Sequence, residues 1–231
     1  AIADGPLAEG KRLLFESRAA DARRGDTSNS QFRFGIQLLA LRWHEGRIGE
    51  MYEGYRRTVD VLPRMDGARA ALALICAESG RIDDARAELA RLAERPIAAV
   101  AKDYLWWQTL IGMTYAAIAT DAHDVARDLY EAMLPYAARN ASVTGAVSFG
   151  SAELFLAMLA QSLSRLDDAA AHYERALAFN IRTRQRVWIA RTRIAYAALL
   201  EARAAPGDSA AATDHRRIAH DDAREAGMFQ P

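Results

Sequence analysis

The sequence predicts an all-α fold of stacked helix pairs forming a single domain. Three observations lead there. The phrase "GRIDDARAELARLAE" at 80–94 returns as "SRLDDAAAHYERALAFN" at 164–180, and a chain duplicates a structural unit far more readily than a functional motif. Apolar residues in both copies fall three and four positions apart, making one face of an α-helix. They are Ile82, Ala85, Leu89 and Leu92 in the first copy, and Leu166, Ala169, Ala170, Tyr173, Ala176 and Leu177 in the second. Finally, alanine, leucine and arginine favour helix, and the β-branched alternation of strands is absent.

Taken in order, a front helix is expected near 6–24, and helical runs at 31–44, 68–78, 103–119, 149–163 and 183–204 each lead into a turn. Aligning the phrase on its turn finds further copies, "EGRIGEMYEGYRRTV", "DAHDVARDLYEAML" and "GDSAAATDHRRIAHDDA". The turns sit at Gly46, Gly80, Asp121, Ser164 and Gly207, so successive spacings are 34, 41, 43 and 43 residues. Asp83, Asp84, Asp167 and Asp168 occupy first turns, where carboxylates suit the helix dipole, and are read as capping residues. Between units, Pro63 and Pro96 stop helices, while Gly145 and Gly150 with Ser and Thr mark the longest loop, 140–150. The expected division is an N-terminal helix and loop over 1–30, then helix pairs over 31–66, 67–102, 103–145, 146–182 and 183–228. No pair can bury its apolar face alone, so the pairs must stack.

Composition excludes several classes of function. Thirty basic residues balance thirty acidic ones, so no global field draws the chain to nucleic acid or to an anionic membrane. No apolar stretch reaches the ~20 residues needed to cross a bilayer. The single cysteine, Cys76, excludes an internal disulfide and a multi-cysteine zinc site, and its setting in "ALALICAESG" reads as buried core. "AIADGPLAEGKRLLFES" lacks the basic-then-apolar order of a signal peptide, and the chain starts without methionine. The expectation is a processed piece of a longer cytoplasmic protein.

The 34-residue spacing of the first two turns is that of tetratricopeptide units. With "GRIDDARAELARLA", "SRLDDAAAHYERALA" and "RQRVWIARTRIAYAALLEARAAPGD", residues 35–227 resemble the tetratricopeptide-like C-terminal regions of large bacterial signalling ATPases. Such proteins carry an AAA/STAND-type nucleotide-binding module, often with a class III cyclase or LuxR-type DNA-binding domain. The resemblance implies an α-solenoid, a right-handed superhelix of about five antiparallel helix pairs. The strict family pattern of Trp, Gly and Tyr in each first helix is mostly missing here.

Catalytic signatures do not assemble. "GPLAEGKR" at 5–12 imitates a phosphate-binding loop, but Arg12 stands where Ser or Thr must ligate Mg²⁺ and no apolar strand precedes it. His215 and His220 are five apart, unsuited to clamping one metal, and His44, His123 and His172 lie on separate segments. No metal, cofactor or catalytic residue is expected. Two binding features stand out. In "IRTRQRVWIARTR", Arg182, Arg186 and Arg193 fall within about 40° on a helical wheel beside Tyr196 and Ile189, with Arg184 and Arg191 on the opposite side. The stripe reads as a groove for an anion or acidic peptide, or as a solvated face with salt bridges. The aromatics Tyr104, Trp106 and Trp107, with Trp43, Tyr136 and Trp188, read as core between units or as ligand-stacking groups.

The sequence therefore points to a non-catalytic interaction or sensing module. A peptide, protein or small effector would occupy its concave face, and the chain would contact an upstream ATPase domain, without nucleic acid or membrane. A free-standing adaptor for one protein partner is the alternative. An enzyme whose site converges from several repeats is a third reading.

Overall fold

The structure is a computed structural model and describes residues 7–25, 27–143, 145 and 147–228. Among them are eleven α-helices and one β-hairpin. The helices are α1 (Leu7–Arg23), α2 (Ser28–His44), α3 (Tyr52–Val61), α4 (Asp66–Glu78), α5 (Ile82–Leu92), α6 (Trp106–Ala119) and α7 (His123–Met133). The hairpin strands β1 (Asn140–Val143) and β2 (Val147–Ser151) precede α8 (Ala152–Ser162), α9 (Leu166–Arg182), α10 (Arg186–Arg203) and α11 (Asp208–Ala226). The chain is thus all-helical apart from the hairpin. No helix of the described residues is long and apolar enough to cross a membrane.

Local chemistry explains the helix boundaries. All five turn positions singled out in the sequence take positive φ: Gly46 (70°), Gly80 (73°), Asp121 (55°), Ser164 (60°) and Gly207 (90°). At the first four, the amide after the left-handed residue donates back to the last helical turn. These bonds are Arg47 to Arg42 (2.7 Å), Arg81 to Cys76 (2.8 Å), Ala122 to Ala117 (2.8 Å) and Arg165 to Ala160 (2.9 Å). This is the Schellman closure, which satisfies orphan carbonyls at a helix end. The repeated phrase is such a stop followed by an amphipathic helix. Its aspartates do not cap. Arg81 and Arg165 hold the N-cap positions of α5 and α9 without a side-chain cap bond. Asp83 and Asp168 instead pair with Arg86 and Arg165 at 2.9 and 2.8 Å, and Asp84 accepts from Tyr52 at 3.0 Å. They keep the favourable dipole position and spend their oxygens on neighbouring side chains.

Burial sorts the helices into two rows. From Gly67 to Cys76 every residue of α4 is buried, and α6 and α8 are buried on nearly all sides. Helices without a polar face belong inside. The amphipathic α5, α7 and α9 bury one stripe each, including Ala85, Leu89 and Leu92 on α5 and Ala169, Tyr173 and Ala176 on α9. The inner helices α4, α6, α8 and α10 pack on one another in order, and each pairs with the helix after it. Outer helices also bridge forward, α5 to α6, α7 to α8 and α9 to α10. Small residues allow the closest approach: a Cβ at Gly112 of α6 would stand 2.1 Å from the Ala70 carbonyl oxygen of α4.

Two features depart from the sequence reading. The expected loop at 140–150 is an antiparallel hairpin, Val143 opposite Val147 and Ser142 opposite Ser148. Its strands are too short to carry a clear alternation, and it is held from outside. Trp188 donates to the Ser148 carbonyl (2.9 Å), and the Asn180 side chain accepts from the Ser151 amide (3.0 Å). Secondly, the expected 31–66 pair does not form, because α2 and α3 do not pack side by side as the later pairs do. Both faces of α2 are apolar. Ile36, Leu39, Ala40 and Trp43 join the main core, while Leu41 joins a second cluster with Leu7, Leu14, Val187, Ala190, Ala223 and Met228. The short α3, with Val59 as its buried residue, could cover only one of them. So α2 lies against the inner row, with Phe32 beside Tyr104 (5.9 Å between rings) and Trp43 beside Trp188 of α10 (5.6 Å). Residues 7–12, the sequence's phosphate-loop imitation in part, are helical: Lys11 pairs with Glu45, and Arg12 with Glu9 and Glu16.

Candidate functional site

Where the C-terminal end of α2 meets the inner row, a cavity of about 400 Å³ remains. Its walls are Trp43 and His44 of α2, Tyr115 of α6, Leu154 and Met158 of α8, and Arg191, Ile194 and Ala195 of α10. Glu78, the last residue of α4, and Met228 also line it. Each inner helix contributes at its own register, because all four pack along one row. The volume and mostly apolar lining with a few polar groups are those of small-molecule sites.

The polar groups are held in place. Arg191 lies over the Trp43 ring, guanidinium carbon to centroid 4.5 Å, and Nη2 donates to the Trp43 carbonyl at 3.1 Å. A cation over an indole face gains about 0.5–2 kcal/mol, which keeps this side chain ordered. Its Nη1 stands 4.0 Å from Glu78 Oε2, an ion pair without hydrogen-bond contact. Glu78 in turn accepts from the Trp43 indole. Trp43 also meets Tyr115 edge-on at 5.1 Å, so one indole anchors the arginine, the glutamate and the tyrosine. His44 is 3 % exposed, and burial, then the nearby Arg191 charge, holds its imidazole well below the usual range and neutral. Burial foremost, then the charge of Glu78, raises the Tyr115 phenol, which stays protonated.

The arginine stripe read from the sequence is dispersed. Arg182 is the last residue of α9 and stacks on Phe179 (5.3 Å). Arg184 occupies a left-handed turn (φ 56°) and Arg186 starts α10, so a single wheel cannot run through them. Arg186 faces Glu225 at 3.7 Å, in a surface depression that it shares with Arg184 and Asp222. Arg193 faces α11, 3.3 Å from His215 and 3.7 Å from Asp222. Tyr196 is buried beneath Tyr173 (5.5 Å) and donates to Glu174 (3.0 Å). None of the four lines the central cavity; Arg191, placed by the sequence on the far side of the stripe, does. The aromatics Trp106, Trp107 and Tyr136 form a cluster at the start of α6, with ring centroids 4.8 Å apart, under the ammonium of Lys102. Tyr104 is 56 % exposed against Phe32. Of the aromatics read as core or as ligand-stacking groups, Trp43 lines the cavity and Trp188 is buried core packed edge-on against it.

A second polar cluster joins α7, α8 and α9. Buried His172 bonds Tyr130 (2.9 Å) through Nε2 and Glu153 through Nδ1, and Arg175 donates to Glu153 (2.9 Å). Burial raises the Glu153 carboxyl, but the bonds from His172 and Arg175 outweigh it and hold the group below its usual range. The central cavity is not lined by any of these residues. Every member spends its polar atoms on another, as a cross-helix network must when buried. Cys76 is fully buried, and burial pushes its thiol up to about 12, so it is core.

Comparison with known protein families, with curated proteins and with solved structures finds no match to this chain.

Proposed function

We propose that the chain is a tetratricopeptide-like helical-repeat module that senses a ligand or partner without catalysis, acting as the regulatory C-terminal region of a multidomain signalling ATPase or transcriptional regulator. The inner and outer rows of α4–α11 and the recurrent Schellman turns support a superhelical repeat array. The carrying observation is the cavity between α2 and the inner row, because an occupant there touches α2, α6, α8 and α10 at once. Binding would favour the arrangement in which these four are closest, and an attached domain would feel that preference as a population shift. The adaptor alternative uses the same surface for one partner protein, with no second state.

The test is the longer reading frame. A nucleotide-binding module encoded upstream, whose turnover changes when Met158→Trp fills the cavity, is the expected result. A module whose turnover ignores that change refutes the regulatory reading. A frame with the helical array alone favours the adaptor.

A further inference from the structure

The charges in the cavity narrow the chemistry of what it holds. Arg191 and Glu78 are fixed by Trp43, one through its carbonyl and ring, the other through its indole nitrogen. They face each other at 4.0 Å, close enough to cancel as a pair and too far for a hydrogen bond between them. Glu78 is exposed at the rim, and among the described residues Trp43 is its only hydrogen-bond donor, so its second carboxylate oxygen is open to solvent or to a ligand. A lone anion would gain Arg191 but meet Glu78, and a lone cation would meet the reverse. A molecule that carries an ammonium and a carboxylate on one carbon satisfies both groups, each of its charges set against the opposite one. Beyond this pair the walls are Tyr115, Leu154, Met158 and Ile194, which offer apolar surface.

We propose that the central cavity binds a free α-amino acid with an apolar side chain, its carboxylate on Arg191, its ammonium on Glu78 and its side chain among Tyr115, Leu154 and Met158. The proposal rests on the sensing reading above and specifies its ligand. The arginine is suited to the carboxylate because its planar fork is already oriented by the Trp43 contacts. No covalent step is involved, and the occupant leaves unchanged.

The experiment is calorimetric titration of the chain with L-leucine, L-phenylalanine, 3-phenylpropionate, phenethylamine and indole. Saturable one-to-one binding of leucine or phenylalanine is expected. Phenylpropionate, without the ammonium, and phenethylamine, without the carboxylate, should each bind about ten- to a hundredfold more weakly than phenylalanine, the loss for one charged hydrogen-bonding group. Glu78→Gln should shrink the gap between phenylalanine and phenylpropionate while keeping an acceptor for Trp43, and Met158→Trp should abolish binding of both. The comparison among ligands needs no variant, so a misfolded mutant does not spoil it. Phenylpropionate or phenethylamine binding as tightly as phenylalanine would overturn the proposal. Indole bound in a Met158-dependent way, with no amino acid bound, would overturn it and leave the sensing reading standing. No binding of any probe would count against both.

Discussion

Gly112 is the position at which the packing of the inner row can be tested most sharply. Alanine there would place Cβ 2.1 Å from the Ala70 carbonyl oxygen, 2.5 Å from its carbonyl carbon and 3.0 Å from its Cβ. Ordinary carbon–oxygen contact begins near ~3.3 Å, so α4 and α6 must part by roughly 1 Å. Relief by a rotamer change is impossible because the obstacle is backbone. Both helices are buried on nearly all sides, so separation would also disturb α5 and α8. Overpacking of this kind costs about 1–3 kcal/mol and occasionally more, and the backbone clash places Gly112→Ala at the upper end, about 3 kcal/mol. For a chain of this size that lowers Tm by roughly 6–12 °C. Thermal and urea denaturation of wild type and variant would measure it, with Gly54→Ala on exposed α3 as the control. A Cβ at Gly54 meets nothing within 4 Å, so that change should add about 0.5–1 kcal/mol by helix propensity alone. If Gly112→Ala melts with wild type, α4 and α6 do not cross as closely as described, and the inner row is wrong.

Other expectations follow from single sites. Ala169 is fully buried between α9 and its neighbours, so Ala169→Asp should cost roughly 3 kcal/mol or more, read as a lower urea midpoint. His44 has its imidazole pKa depressed below the ordinary 6.5, so the unfolded chain takes up a proton that the folded one refuses. Its share of stability should therefore fall as pH drops below 6.5, by up to about 1.4 kcal/mol per pH unit, and His44→Gln should flatten that slope in urea titrations between pH 7 and 5. An unchanged slope would mean that His44 is not buried and neutral. Arg186 is half-exposed opposite Glu225, so Arg186→Glu should move stability by less than about 1 kcal/mol and leave binding in the central cavity intact. Loss of cavity binding in that variant would return the site to the arginine stripe.

What the sequence by itself determined was local. The helices, the apolar stripes on their faces and the five turn positions all follow from patterns within about six residues, where 3.6 periodicity and helix stops operate. Long-range contact decided the rest. That Gly112 must be glycine depends on Ala70, forty-two positions away (112 − 70), and nothing around it in "TLIGMTY" says so. The seat of α2 depends on two apolar faces that α3 cannot both cover, a competition between distant partners. The candidate site was only partly legible: Trp43 stood out as an aromatic, and the helical wheel placed Arg191 opposite Arg186 and Arg193, but nothing in the sequence said which of those faces would meet a cavity. Those three arginines share α10, so their phases hold, whereas the turn at Arg184 breaks the wheel only for Arg182 at the end of α9. Which arginine meets the cavity was therefore settled by the packing of α10 against α8 and α2, where Arg191 lies on Trp43 while Arg193, two residues on, faces α11.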